Sequence, residues 1–577
     1  MTQPRISLAM IVRNEASRLA GCLECVRQAV DEIVIVDTGS SDATLQIART
    51  YTPKVYSYRW QDDFAAARNY AIEQTTGDWV LSLDADEQLS VAPGDLQALI
   101  SRPGYTAFCL PLHALKAGNE GYEYDRYIVL RLFRQHYRFT GPVHEYVLID
   151  TPQTIGHAWS PVIWHQAVPA SERNSRRGRN IRLLKTALAR TSPAPCLHYY
   201  LGAEWLGLNR IELAIPALQT ALRQLSATQV MFRSPAVRHL ISCYRQSAKL
   251  AAATRLCLEE SERYPEYGDL FFDGAVLFEL QGEYTLAMKW LQEAIRLGPP
   301  PLAFFHTEGT DTYLAYYHLG YCAEKLGLVK EAQTYYEQAV NASQNYYYPL
   351  YPLIMLKLIR QPAGEVLAFL REQGYLTVGS VAEEMAELFR TAGLPDIGLQ
   401  CLTPDQTGNT PVSEILITCR LYSGDITGAL QSIQQMRRLG LALSTTAAVD
   451  EIIALMLVHR FEAARQQLWH LRQTPDNQHV FRAVFCLYKQ LCHNTTLPLA
   501  NPRAASSLLE ISNRCLQVRT KKISGQPGFA AILTAIKDIL AAEADSFALF
   551  IRNLTLKEQG VKQSLAYTFS HLRGLYP

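Results

Sequence analysis

The chain has 577 residues, more than one hydrophobic core usually supports, so we expect two to four domains. Hydrophobic residues make up 48% of it, charged residues 19%, and the formal net charge is +1, which is the composition of an ordinary globular protein. This near-neutrality gives no electrostatic reason to expect nucleic acid or an anionic membrane as the main partner.

No segment of the sequence looks like an export signal or a membrane anchor. The first apolar run, residues 6–12, lacks a long hydrophobic core followed by a small-residue cleavage site. No other stretch is apolar for long enough to span a bilayer. We therefore expect no transmembrane segment and a cytoplasmic location.

Up to about residue 165, short β-rich runs alternate with helical patterns. The predicted strands are residues 6–12, 32–36, 55–58 and 79–83, and the predicted helices are residues 17–30, 43–51 and 64–75. Continuous apolar strands alternating with helices are typical of a parallel sheet covered by helices on both faces. We predict a Rossmann-like α/β domain over residues 1–190.

Polar side chains follow the predicted strands at their carboxyl ends, where sheets of this type bind ligands. Arg13 and Glu15 follow the first strand, Asp37 ends the second, and Asp84 and Asp86 follow the fourth. Two carboxylates one residue apart at the end of a buried strand can hold a divalent cation against a diphosphate. The pair therefore predicts a metal site that serves a nucleotide-linked substrate.

Asp37 and Arg68 add to this site. A carboxylate before the turn at Gly39 can accept hydrogen bonds from a uracil imide and a ribose. Arg68, on an alanine-rich helix, can bind a base or a diphosphate, although a solvated arginine is the usual reading of such a position. Because Asp37, Arg68 and the Asp84/Asp86 pair arise from consecutive strand–helix units, we favour the ligand-binding interpretation.

Beyond about residue 195 the pattern becomes helical and repeats. A small residue lies twelve positions after a glycine or alanine, a large one four later, and a small one three after that. The three copies are Gly202 with Ala214, Leu218 and Ala221; Ala275 with Ala287, Leu291 and Ala294; and Gly320 with Ala332, Tyr336 and Ala339. This spacing predicts tetratricopeptide-like repeats over residues 195–345, with a generic helical domain as the alternative. Residues 346–577 are expected to be a divergent helical or solenoid-like region.

Four segments together resemble the amino-terminal half of glycosyltransferase family 2. They are residues 10–15, 36–42, 60–69 and 77–87, in the order and spacing of that family. With the repeats behind them, they are similar to the family branch that includes the sublancin S-glycosyltransferase. The resemblance implies an α/β GT-A catalytic domain followed by an all-α tetratricopeptide-like region.

The resemblance also implies a chemistry. It implies an inverting hexosyl transfer from a UDP-sugar donor, assisted by Mg²⁺ or Mn²⁺. It places Asp37 at the uracil, Arg68 near the nucleotide, Asp84 toward the ribose and Asp86 on the metal ion, with Asp84 as a second contact of the metal.

The general base is expected in the segment 141–145, where family members carry a catalytic acid. Glu145 is our first candidate and His144 the second. His165 matches a downstream histidine of the branch that reaches the metal or the diphosphate. The basic cluster at residues 173–182 either closes over the diphosphate or forms the solvated face of a linking helix, and both interpretations stay open.

The expected function is a metal-dependent inverting glycosyltransferase whose helical repeats present a peptide or protein acceptor. One alternative is a transferase for a cell-envelope glycan or lipid-linked saccharide, and another is a repeat scaffold with an inactive transferase domain. We expect no nucleic-acid partner. The oligomeric state is left open, with a homodimer as one option.

Overall fold

The computed structural model describes residues 3–115, 124–190, 195–343, 345–402, 413–473, 475–516 and 527–558. The chain divides into two compact units, residues 1–346 and 347–577. The first contains an α/β region and the helices that follow it. The second is helical wherever the structure describes it. The predicted succession of an α/β domain and an all-α region is confirmed.

Strands and helices alternate at the start of the first unit and helices follow. The strands are β1 (Ile6–Val12), β2 (Glu32–Asp37), β3 (Val55–Ser57), β4 (Trp79–Ser82), β5 (Glu87–Ser90), β6 (Ala107–Leu115), β7 (Tyr124–Arg134), β8 (Phe139–Thr140), β9 (Tyr146–Val147), β10 (Ile155–His157), β11 (Val162–His165) and β12 (His306–Thr307). The helices are α1 (Leu19–Val26), α2 (Thr44–Tyr51), α3 (Phe64–Glu73), α4 (Asp95–Ile100), α5 (Ala170–Arg190), α6 (Pro195–Gly207), α7 (Ile211–Gln224), α8 (Val230–Gln246), α9 (Leu250–Arg263), α10 (Gly268–Leu280), α11 (Tyr284–Leu297), α12 (Tyr313–Lys325) and α13 (Val329–Ala342), with a 3₁₀ turn at Pro152–Thr154.

One large sheet organises the α/β region. Its strand order is β3-β2-β1-β4-β7-β6-β11-β5, with β10 beside β6 and β12 beside β7, while β8 and β9 form a separate pair. The strands β3, β2, β1 and β4 run parallel, as predicted. β7 runs antiparallel to both β4 and β6, so the sheet is mixed beyond the four strands that the alternating pattern predicted. β6 and β7 are consecutive neighbours, and an antiparallel pair needs only a short connection, whereas a parallel pair needs a crossover of about a dozen residues or more.

The early elements form where the sequence pattern placed them, within a few residues. β1 covers the predicted residues, and Ile6, Leu8 and Met10 are fully buried. α1 is shorter than the predicted helix 17–30 and buries Leu19 and Val26 on one face. α3 begins at Asp63, whose side chain accepts a hydrogen bond from the Ala66 backbone N–H at 2.9 Å, the usual N-cap arrangement.

The helices after α5 pack as pairs because small residues let them approach closely. In the α6/α7 pair, a Cβ on Gly202 would lie 2.6 Å from the Leu218 side chain. In the α12/α13 pair, a Cβ on Gly320 would lie 2.6 Å from Tyr336. Both distances are too short for any residue larger than glycine, which explains the predicted small–large spacing.

The helical region also adds a strand to the sheet. β12, between α11 and α12, pairs antiparallel with β7, so that His306 lies opposite Arg126. The Arg126 side chain donates a hydrogen bond to the Pro300 carbonyl at 2.9 Å. The sheet and the helical pairs of the first unit are therefore packed together rather than joined by a free linker.

The second unit is built of successive helices. They are Leu350–Arg360, Ala363–Glu372, Gly379–Thr391, Pro395–Leu402, Glu414–Ser423, Ile426–Arg438, Thr445–Leu457, Phe461–Arg472, Gln478–His493, Pro502–Cys515, Pro527–Leu540 and Ala544–Glu558, with 3₁₀ turns at Tyr375–Thr377 and Pro475–Asn477. Within the described ranges of both units, no helix combines the length and the apolar character needed to cross a membrane.

Candidate active site

A cavity of about 1090 Å³ opens at the carboxyl ends of β1 and β4. Both the α/β region and the helical pairs contribute to its wall, the latter through side chains such as Phe232 and Phe305. Most of the predicted site residues line it. They are Arg13, Glu15, Arg68, Asp84, Asp86, His144, Glu145 and His165.

Arg68 is the centre of a buried charge network in this wall. Its Nη2 donates to Asp84 Oδ1 at 2.6 Å, and its Nε donates to Glu145 Oε1 at 2.5 Å. The second oxygen of Asp84 accepts from Arg131 at 3.1 Å, and Arg131 also donates to Glu87 at 2.5 Å. Two arginines thus bridge three carboxylates, two from the turn after β4 and the first residue of β5 and one from the segment before β9.

These contacts set the charge state of the acids. Burial alone would raise the pKa of Asp84, but the positive charges of Arg68 and Arg131 outweigh it and hold that pKa well below its usual range. Burial raises the pKa of Glu87 despite its contact with Arg131. Asp84 is therefore a carboxylate at neutral pH, with both oxygens already bound by arginine.

Asp86 lies beside His165 because of the strand pairing. β11 runs antiparallel to β5, so His165 lies opposite Glu87, and the Gln166 N–H donates to the Asp86 carbonyl at 3.0 Å. The distance from His165 Nε2 to Asp86 Oδ2 is 3.6 Å, and Arg176 Nη1 donates to the same oxygen at 2.7 Å. Burial would raise the pKa of Asp86, but these contacts lower it.

The donor set fits a divalent cation that is shared with a phosphorylated substrate. Among the described residues, no group of three or more histidine, cysteine and acidic side chains is arranged as a complete metal shell. Mg²⁺ commonly takes only one or two protein carboxylates and completes its shell with water and substrate phosphate oxygens. Asp86, with His165 beside it, offers such a partial shell. Asp84 contacts arginine through both oxygens, whereas the contact of Asp86 with Arg176 is through Oδ2.

The basic cluster at residues 173–182 has one arginine at the cavity and one at the surface, and its predicted contact with a diphosphate stays a prediction. Arg176 reaches the cavity and bonds Asp86, Glu15 at 2.9 Å and Glu172 at 2.7 Å. Arg182 instead forms an ion pair with Asp62 at the surface. The helix α5 therefore has one face toward the site and one toward solvent.

Asp37 does not line the cavity. Its carboxylate is 4% exposed and accepts hydrogen bonds from the Gly39 and Ser40 N–H groups at 3.1 Å, which shape the turn after β2. The next residue, Thr38, lines the cavity instead. The predicted contact of Asp37 with uracil stays a prediction.

His144 has an unusual position between the α/β region and α6. Its φ is +48°, in the left-handed region, and its ring stacks on Tyr200 with centroids 3.8 Å apart and planes 5° apart. Its Nε2 approaches Glu204 Oε1 at 3.5 Å. Glu204 is 7% exposed and also accepts from Arg177 at 2.9 Å and Asn180 at 2.7 Å.

Sequence reasoning missed four of the side chains that complete this site. Glu87 directly follows the Asp84/Asp86 pair and begins β5, so the sequence displays it beside the predicted metal pair, whereas Arg131 lies inside β7. Tyr200 and Glu204 lie on a repeat helix and carry no local pattern that indicates a site.

Comparisons with known proteins agree with this fold. Residues 7–152 match the glycosyl transferase family 2 model, and residues 313–346 match a tetratricopeptide repeat model. The chain therefore has a glycosyl transferase family 2 domain followed by a helical region with a tetratricopeptide repeat, and both parts of the predicted resemblance are confirmed.

Several curated proteins are similar over part of the chain. A TPR repeat-containing protein of Synechococcus elongatus is 35% identical over 263 residues, which are 43% of this chain and 64% of that protein, so the chain spans less than two thirds of this relative. The SPbeta prophage-derived glycosyltransferase SunS of Bacillus subtilis is 27% identical over 313 residues, covering 51% of this chain and 71% of SunS. An uncharacterized glycosyltransferase of Rickettsia typhi is 37% identical over 86 residues, 15% of this chain and 29% of that protein. Among solved structures, MamA covers 31% of this chain and 96% of its own with 19% identity, but the TM-score is only 0.26.

Proposed function

We propose that this protein is a glycosyltransferase that moves a sugar from a UDP-sugar to a peptide or protein acceptor, with inversion and with Mg²⁺ or Mn²⁺. The observation that carries the proposal is the meeting of Arg68, Asp84 and Asp86 at the strand ends of a family 2 domain. The cavity there also has walls from the helical pairs, including Phe232 and Phe305, which suit an acceptor held by the repeats.

Each part of the site has a role in this reaction. Asp86, with His165 beside it, would hold the cation, which would supply positive charge against the leaving diphosphate. Arg68 holds Asp84 and Glu145 in fixed positions at the cavity wall. Arg176 is close enough to Asp86 to contact the same phosphate oxygens. The segment 141–145 supplies the group that accepts the proton of the acceptor.

The donor and metal are tested together. Purified protein is incubated with a panel of UDP-sugars and Mn²⁺, and released UDP is measured. We expect the Asp86→Asn variant to lose about 100-fold or more in turnover, because the cation contributes several kcal/mol of charge stabilisation. Binding of Mn²⁺, followed by its electron paramagnetic resonance signal, should weaken in the same variant. Asp62→Asn, an exposed carboxylate paired with Arg182, is the matched control and should behave as the wild type.

Two results would overturn this part of the proposal. Full activity in Asp86→Asn would remove the metal assignment. Failure of the wild type to consume any UDP-sugar would favour the scaffold with an inactive domain.

The acceptor class needs a separate experiment. The intact protein is given radiolabelled UDP-sugar and a lysate, and the labelled product is divided into protease-sensitive and lipid-extractable fractions. We expect the label to become small and soluble after protease treatment. Label that resists protease and enters the lipid or glycan fraction would contradict a polypeptide acceptor and support the envelope-glycan alternative.

A further inference from the structure

The strongest feature that the proposed function does not use is the contact between His144 and the repeat helix α6. Two side chains of α6 hold this histidine: Tyr200 stacks on one face of the ring, and Glu204 faces its Nε2 atom. His144 itself lines the cavity, and 25% of its side chain is exposed. An imidazole that is stacked on a tyrosine, faces a buried carboxylate and lines a cavity is arranged for proton transfer.

Glu145, the neighbouring candidate, is held differently. Its carboxylate bonds the Nε of Arg68 at 2.5 Å, and its side chain is only 11% exposed. A carboxylate bound to a buried guanidinium is a poor proton acceptor, because protonation would remove one of the two negative charges, Asp84 and Glu145, that face Arg68. Glu145 therefore suits the role of holding Arg68 better than that of base.

We propose that His144 is the general base of the transfer and that Glu204, on the first repeat helix, is its positioning residue. The inference rests on the proposed transferase function and names the proton acceptor within it. It makes the helical region a part of the catalytic site and not only a platform for the acceptor.

The arrangement assigns the protons. With Nε2–H directed at the Glu204 carboxylate, Nδ1 carries the free lone pair. The O–H or S–H group of the acceptor gives its proton to Nδ1 while a lone pair on the acceptor oxygen or sulfur forms the new bond to the anomeric carbon. The bond from that carbon to the diphosphate oxygen breaks, and its electron pair leaves with UDP. The resulting imidazolium is stabilised by Glu204 and later releases its proton to water.

The 3.5 Å between Nε2 and Glu204 is at the outer limit of a hydrogen bond. Nε2 is buried and makes no hydrogen bond to any described atom, so Glu204 is the nearest acid that it can reach by a small shift. Catalytic hydrogen bonds are often long before substrate binds and shorten in the complex. Burial would raise the pKa of Glu204, but His144, Asn180 and Arg177 lower it, so that Glu204 is ionised at neutral pH.

Other charged groups surround this pair and must be kept constant in a test. The charged and titratable neighbours are Glu204, Tyr199 and Tyr200 of α6, Arg177 and Arg179 of α5, and Glu145 with its partner Arg68 of α3. Glu204 is the acid that faces the ring nitrogen, so its replacement by glutamine removes that charge and little volume.

The test compares pH profiles of kcat/KM. We expect Glu204→Gln to move the acid limb about one pH unit lower and to reduce the plateau rate, because loss of the neighbouring negative charge makes His144 less basic. His144→Asn should lower kcat/KM by about 100-fold or more and abolish the acid limb of the profile, and added imidazole should restore part of the activity. Asparagine is chosen because it tolerates the left-handed φ at this position. Glu145→Gln should lower the rate but keep the limb.

Glu260→Gln is the matched control. Glu260 is 2% exposed and bonded to Arg233 in the same helical region, away from the cavity. It should lower stability and leave the pH profile in place. The inference would be overturned if Glu204→Gln left the acid limb where it is in the wild type. It would also be overturned if the acid limb disappeared in Glu145→Gln and survived in His144→Asn.

A second measurement does not depend on turnover. The pKa of His144 is followed by NMR of histidine-labelled protein, and Glu204→Gln should lower it, whereas an unchanged value refutes the positioning role. If the wild type transfers no sugar from any donor, the base assignment fails together with the proposed function. If the wild type transfers sugar but Glu204→Gln fails to move the acid limb of the pH profile or the NMR titration, the inference alone fails.

Discussion

Arg68 in the family 2 domain and Arg238 in the helical region have similar local environments. Both are buried guanidinium groups, with side chains 7% and 9% exposed. Arg68 donates to Asp84 at 2.6 Å and Arg238 donates to Asp269 at 2.7 Å, and each bonds a second carboxylate as well. A buried arginine between two acids therefore does not by itself mark an active site.

The two networks differ in what their acids face. The Asp84 side chain is 35% exposed and lines the cavity, whereas the Asp269 side chain is fully buried and lies 2.9 Å from His306 Nδ1 on β12. The first network is open to a ligand, and the second closes on the strand that the helical region adds to the sheet. Openness to a cavity, rather than the ion pair, separates a candidate catalytic network from a structural one.

The largest effect is expected from Arg68→Met. The change leaves Asp84 and Glu145 close together without their shared cation, so the free energy of unfolding should fall by about 3–5 kcal/mol. Turnover in the folded fraction should fall at least about 100-fold because the acids lose their positions. Urea unfolding and UDP release measure the two losses. A variant that is destabilised but turns over normally would place Arg68 with the structural arginines and break the comparison.

Arg238→Met should cost stability alone. Removing one partner of this buried network should also lower the free energy of unfolding by about 3–5 kcal/mol. The network does not touch the cavity through its carboxylates, so the affinity of the folded protein for UDP should stay within about twofold of the wild type. Calorimetric titration with UDP below the unfolding transition checks this. A large loss of UDP affinity would show that the two networks are coupled.

Much of the first network could be predicted from the sequence. Asp84 and Asp86 follow an apolar run, and Arg68 follows an alanine-rich helix start, so a local pattern places each of them at a strand end or on a helix. Strand and helix periodicity depends on neighbours a few positions away, which a single sequence displays. The elements from β1 to β4 were therefore found within a few residues.

The rest depends on contacts between distant parts of the chain. β12 has only His306 and Thr307, too few residues for any alternation, and it pairs with Asp125 and Arg126 in the part of β7 that extends past β4. Glu204 reaches His144 only after α6 packs on the α/β region, and nothing near Glu204 in the sequence indicates this. The cluster at residues 173–182 was visible, but only the three-dimensional packing separates Arg176 at the site from Arg182 at the surface.

Lysine at the two buried positions sharpens the comparison with a smaller change. Arg68→Lys and Arg238→Lys keep the charge but lose the planar fork that reaches two carboxylates at once. We expect each to cost about 1–3 kcal/mol of unfolding free energy, through the hydrogen bonds to a charged group that are lost. Only Arg68→Lys should also lower turnover, by about tenfold or more. Equal turnover losses in the two variants would contradict the division between an open and a closed network.

The smallest effect is expected at a third arginine pair, which lies at the surface. Arg182 and Asp62 form a two-bonded ion pair with side chains 60% and 46% exposed. The hydrogen bonds from Arg182 and Trp60 lower the pKa of Asp62 to about 2. The ionised Asp62 therefore stabilises the folded state at pH values above its ordinary pKa, and this stabilisation is lost as the pH falls toward 2. Water and salt screen such a pair, so Arg182→Ala should leave the unfolding midpoint unchanged at neutral pH and physiological salt. A clear drop in the midpoint, larger at low salt, would mean that this pair holds α5 against the loop before α3. A solvent-facing pair would then also control the position of the helix that carries Arg176. Contact with a cavity would no longer separate the arginine pairs that matter for the site from those that do not.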